Sequence, residues 1–272
     1  MSTHALEVRL REGAERIGVT RLTETLTQVK VALEEIDRVY LYSRTPRPEW
    51  VVQQLAQQGH DLLVRLTARE SRGREWPSLV APLNALVAGV ETLQREPELP
   101  QYYTESTLER LLKIGEPGAG VQEVSLATVN GTVGHHFPIS EPVRQNARQA
   151  VAGAYDSLGS VAGWLDEMNA RRVAKGVLRV GLYDPLTRRA VTGVLAPDME
   201  AAMQRFWRQR VLARGLITRN KRGQIVRIRI DHIEPLPQDD DKRAAVSELL
   251  GADPDWLGGQ DVDAYLHEER RA

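Results

Sequence analysis

Apolar residues along this chain switch between two spacings. Leu6, Val8 and Leu10 alternate with polar neighbours, as one face of a strand does. From Thr20 the interval lengthens to three and four, and Leu22, Leu26, Val29, Leu33, Ile36 and Tyr40 fall on one side of a helix that Pro46 and Pro48 end. The same reading predicts a strand over 60–68, helices over 77–94 and 105–113, and a loop over 115–120. Strands over 121–129 and 132–137 then flank Asn130-Gly131, a pair that tolerates the positive φ of a tight hairpin, and a helix over 140–157 follows. Residues 1–157 therefore read as an α+β domain.

Beyond it the pattern shortens. Strands are predicted over 161–168, 177–183, 190–195, 211–217 and 224–233, with a helix over 197–207 between the third and fourth. Asp184-Pro-Leu-Thr and Asn220-Lys-Arg-Gly supply turn residues. This order over 158–237 resembles the OB-fold, a small five-stranded barrel. The resemblance implies that the loops joining strands one to two and four to five border a nucleic-acid surface. Those loops carry Arg171, Arg172 and Lys175 on one side and Arg219, Lys221 and Arg222 on the other. In the last strand Val226, Ile228 and Ile230 alternate with Arg227 and Arg229, which places the two arginines outside. Stacking faces are few: Tyr183 lies on the second strand, and Trp164 and Trp207 read as core.

Charge separates the parts. The net charge of -1 hides 15 basic against 7 acidic residues in 158–237 and 4 against 10 in 238–272. A basic barrel beside an acidic end fits either an anionic ligand or internal pairing.

The C-terminal end, 238–272, holds an acidic linker and a short amphipathic helix. Asp261 is a suitable N-cap, and Val262, Tyr265 and Leu266 form a narrow apolar stripe behind Trp256 and Leu257. So short a helix needs a surface, on its own body or on another molecule. The run from Val246 through Trp256-Leu257-Gly-Gly to Glu268-Glu-Arg-Arg resembles the tails of bacterial antitoxins that neutralise PIN-domain ribonucleases. That resemblance implies an anchor at Trp256 and Leu257, a docking face at Val262, Tyr265 and Leu266, and a cation, Arg270 or Arg271, set among the partner's metal-binding acids. Arginine suits that role because its planar fork pairs with carboxylates two bonds at a time. Antitoxins of this kind are small, whereas some 240 residues precede the tail here. The layout as a whole resembles an uncharacterised bacterial protein group, which implies no activity.

Enzyme chemistry is not signalled. There is no Gly-x-Ser-x-Gly elbow, phosphate loop or His-Glu-x-x-His, and no Cys for a thiolate site. His135-His136, read as strand residues, face opposite sides and suit a structural role better than one metal. Glu34, Glu35 and Asp37 read as a solvated helix face, and Asp239-Asp-Asp as linker. The N-terminus lacks a signal peptide's apolar core, and the longest apolar stretch, 79–93, is too short and too interrupted to span a bilayer. The expectation is a cytoplasmic, non-enzymatic interaction protein without cofactor or metal, binding a ribonuclease through its tail, with nucleic acid at the barrel as the alternative and self-association left open.

Overall fold

The computed structural model describes residues 4–41, 47–69, 74–169, 178–184, 188–195 and 199–236. The chain divides into two units, Met1–Leu236 and Pro237–Ala272, and the described fold is that of the first.

Its N-terminal half is a sheet backed by one layer of helices. Strand β1 (His4–Glu12) lies between β3 (Asp61–Arg69) and β4 (Val121–Asn130), antiparallel to both. Strand β2 (Glu49–Gln58) pairs outside β3, while the two-residue strands β5 (Thr132–Val133) and β6 (Phe137–Pro138) pair with β4. The order is β2-β3-β1-β4-β5. Register aligns Leu6 with Leu66, Val8 with Val64 and Leu126, and Leu10 with Val124, so period-two alternation delivers one continuous apolar face. Helices α1 (Val19–Tyr40), α2 (Trp76–Arg95), α3 (Glu105–Ile114) and α4 (Glu141–Val151) bury that face. On α1 the buried Val29, Leu33 and Ile36 match the predicted stripe.

Polar side chains lock the helix layer. Arg21 on α1 donates to the carbonyls of Lys113, Ile114 and Glu116, satisfying acceptors that the end of α3 leaves open. Thr104 and Thr107 form a reciprocal cap at the start of α3, and Ser106 and Thr107 both donate to Glu35. Asp37 is fully buried against Arg74. The acidic helix face expected on α1 holds only for Glu34, which pairs with Lys30 at the surface; Glu35 and Asp37 turn inward to bind neighbouring elements. Buried Tyr103 donates its hydroxyl to Leu86 O at 2.6 Å and lies against Gly89, where a Cβ would come within 2.3 Å of the ring. That close approach explains a glycine inside α2.

The second half is a closed barrel of β7 (Tyr155–Asn169), β8 (Leu178–Asp184), β9 (Arg189–Leu195), β10 (Arg210–Arg219) and β11 (Ile225–Pro235), with α5 (Glu200–Arg205) before β10. Strand β7 pairs antiparallel with both β8 and β10, and β9 runs parallel to β11 over three residues. Val161, Leu165, Val180, Leu182, Ile217 and Ile228 belong to a separate core. No helix among the described residues is long and apolar enough to cross a membrane.

Strand β2, helix α4 and strand β7 differ from the pattern-based expectation, as does the strand expected over 132–137, which is reduced to β5 and β6. Strand β2 is absent from that expectation, because a bulge between Val52 and Gln54 breaks the alternation and exposure leaves Gln at four of its ten positions. Helix α4 stops at Val151 rather than 157, ahead of Gly153. Strand β7 starts at Tyr155, since Asp156 to Ser160 take their pairing from β10 without facing a core on alternate positions.

Candidate functional site

The β10–β11 loop is the most constrained polar site of the barrel. Asn220 is buried and makes four side-chain hydrogen bonds. Its Oδ1 accepts from the N–H groups of Arg222 and Gln224, each at 3.0 Å, and its Nδ2 donates to Ala150 O and Gln224 Oε1, each at 2.9 Å. Gln224 Oε1 also accepts from Leu99 N–H at 2.8 Å, and its Nε2 donates to Leu99 O at 3.2 Å. The two amides thus join the barrel to the end of α4 and to the α2–α3 connection. Gly223, at φ 77°, supplies the left-handed residue that closes the loop.

This clasp takes up part of the predicted positive rim. Arg222 pairs with Glu96, and Arg227 reaches across to Glu105 at the start of α3. Arg219 donates to Gly223 O at 2.8 Å, within its own loop. Lys221 and Arg229 are exposed, with no ion pair among the described residues. Arg171, Arg172 and Lys175 lie outside the described residues, as do Trp256, Leu257, Val262, Tyr265, Leu266, Arg270 and Arg271. Two aromatic assignments reverse: Tyr183 is buried and Trp207, read as core, stands exposed; Trp164, also read as core, is half-buried, and Tyr155 is exposed as well. Trp207 follows α5 in a turn, where helical periodicity no longer governs which way a side chain faces.

A second polar cluster lies on the sheet face away from the helices. Glu7, buried in β1, accepts from Arg65 Nε at 2.7 Å through one oxygen and meets His136 Nε2 at 3.0 Å through the other. His136 Nδ1 is 3.4 Å from Ser125 Oγ. Burial, and then the nearby Arg9 cation, hold the His136 imidazole below its usual pKa against the opposing pull of Glu7. A neutral ring then donates from Nε2 to Glu7 and accepts from Ser125 at Nδ1. The order hydroxyl, imidazole, carboxylate resembles a nucleophile relay, but Ser125 is only 3% exposed and Glu7 is already committed to Arg65. We read it as a polar staple between β1, β4 and the segment before β6. Residues 134–136 are not in a strand: His136 turns under the sheet, and His135 meets the Phe137 ring edge-on at 4.8 Å. Among the described residues no three metal-ligating side chains converge.

The depressed imidazole has a pH consequence. Because the unfolded chain binds this proton more readily than the folded one, stability is lost as pH falls through the ordinary imidazole range near 6.5. We expect the melting temperature of the native chain to drop more between about pH 7 and pH 5 than that of a His136→Gln variant. Equal slopes would exclude His136 as the source.

The described residues also line two open clefts. One, of about 780 Å³, is lined by Arg11, Glu12, His60 and Gln122, and the other, of about 570 Å³, by Leu158, Arg214, Asp231 and His232 on the barrel wall. Fold and contacts together define a protein of mixed α and β structure, in which a small closed barrel is clasped to a helix-backed sheet. No family model, curated protein or solved structure matches the chain.

Proposed function

We propose that this is a non-enzymatic interaction protein of antitoxin type, whose C-terminal segment binds and inhibits a partner ribonuclease of the PIN class in the cytoplasm. The observation that carries the reading is the division of the chain after Leu236, which sets residues 237–272 apart from the unit that holds the sheet and the barrel. The last barrel strand ends at Pro235 and the described core reaches Ile233, so barrel closure precedes the segment. In this reading Trp256 and Leu257 anchor the segment, Val262, Tyr265 and Leu266 form its docking face, and Arg270 or Arg271 enters the acidic site. We assign the barrel to the OB-fold class on its connectivity: first, second, third, fifth, fourth, with third and fifth parallel and first closing on fourth.

The test is capture from the native host by the full chain and by a chain ending at Leu236. We expect the full chain alone to retain a nuclease and suppress its activity, and the truncated chain to melt at nearly the same temperature. Identical partners for both chains, or a large fall in melting temperature, would overturn the reading.

Nucleic acid at the barrel is the second reading, favoured by the exposed Lys221, Arg229, Tyr155 and Trp207. Its test is charge reversal at Lys221, Arg229, Arg171 and Arg172, with salt-dependent oligonucleotide binding as the readout. Arg222 is left alone because a glutamate there would face Glu96.

A further inference from the structure

The helix-backed sheet ends differently on its two sides. Beyond β4 stand β5 and β6, of two residues each, whereas β2 offers ten residues with no partner strand on its outer edge among the described residues. Open edges recruit further strands, and proteins usually guard them with lysine, proline, charge or a covering element. Strand β2 reads Glu-Trp-Val-Val-Gln-Gln-Leu-Ala-Gln-Gln, with one charge at its first residue and no Lys, Arg, Pro or Gly. Its one protective device is the bulge. That bulge also puts Val52 and Leu55 on the same side, opposite Leu66 and Val64, yet beyond the helix layer, where they are 55% and 59% exposed.

We propose that β2 pairs antiparallel with β2 of a second copy of this chain across a two-fold axis, joining two sheets into one. The strand's own chemistry selects this occupant. A charged segment finds no counter-charge along the nine residues after Glu49, whereas an identical neutral strand needs none. Antiparallel pairing lays each Val52–Leu55 patch beside its equal, sets Gln53 across from Gln54, and brings the Gln57–Gln58 end opposite Glu49 and Trp50 of the other copy. It also separates the two Glu49 carboxylates, which parallel pairing would stack. Each Glu49 keeps its own counter-ion, Arg69 of β3 at 2.6 Å, so the strand asks no charge of its partner. A two-fold interface repeats the same contacts in both halves, as isologous pairing does. The inference does not depend on the C-terminal segment.

Sedimentation equilibrium of the full chain tests it, with Val52→Lys/Leu55→Lys as the disrupting variant and Leu158→Lys on the barrel as control. We expect a dimer that the double variant weakens roughly a hundredfold, through like charges facing across the strands and lost apolar contact. Both substituted side chains are exposed, so the variant should keep the parent's circular dichroism. Amide exchange over 49–58 should slow as concentration rises in the parent and not in the variant. A parent that stays monomeric at its solubility limit would refute the proposal. So would a dimer that survives the double substitution, or one lost when the chain ends at Leu236.

Discussion

Replacing Asp37 with Ala is expected to destabilise the protein by about 3–5 kcal/mol, the cost typical of stripping one partner from a buried ion pair. Arg74 donates to Asp37 through both terminal nitrogens, at 2.7 and 3.0 Å, and the two side chains are 1% and 0% exposed. Arg47 adds a third bond at 3.1 Å from a half-exposed position. Without the carboxylate, the buried Arg74 guanidinium keeps, among the described residues, Ser78 to bond. The variant Asp37→Leu/Arg74→Met, which removes both charges, should recover most of the loss, because packed apolar groups often replace such pairs at little cost. Urea unfolding of the single and double variants gives the coupling directly. A loss below about 1 kcal/mol in Asp37→Ala would mean that Arg74 finds water, and that the pair does not tie α1 to α2.

Asn220→Ala should cost about 2–4 kcal/mol and uncouple the barrel from the sheet. The substitution removes both amide donations and both acceptances, leaving Ala150 O and the Gln224 N–H short of partners in a buried site. Because the two cores are separate clusters, the clasp is a main route by which unfolding of one half is felt by the other. We expect denaturation to split into two transitions, with the Arg222–Glu96 and Arg227–Glu105 pairs opening in the first. If the barrel binds nucleic acid, freeing these arginines should raise oligonucleotide affinity in the same variant. A single transition with unchanged midpoint would show that the ion pairs alone hold the halves together.

Burial periodicity was the legible part of the fold. The face of α1 and the alternation in β1 and β11 are visible as spacing, because a side chain that must reach a core repeats with the period of its element. What escaped was whatever owed its form to a neighbour. Strand β2 has its apolar residues put out of alternation by a bulge, and the early part of β7 becomes a strand because β10 lies beside it. The candidate basic rim was legible as charge but not as state: nothing near Arg222 or Arg227 in the chain announces Glu96 or Glu105, more than a hundred residues earlier.

The sequence by itself determined the order of elements apart from β2 and the β5–β6 split, the two-part α and β body, the turn at Asn220 to Gly223 and the charge contrast between barrel and tail. These follow from local rules, since periodicity, turn chemistry and charge are properties of short stretches. Only the tertiary structure decided that Asp37 is a buried ion-pair partner, that Asn220 and Gln224 are a clasp, that His136 sits neutral between Glu7 and Ser125, and that β2 is an unguarded edge. Each depends on residues distant in the chain meeting at a few ångströms, where desolvation and hydrogen bonding rather than residue type set what a polar side chain does.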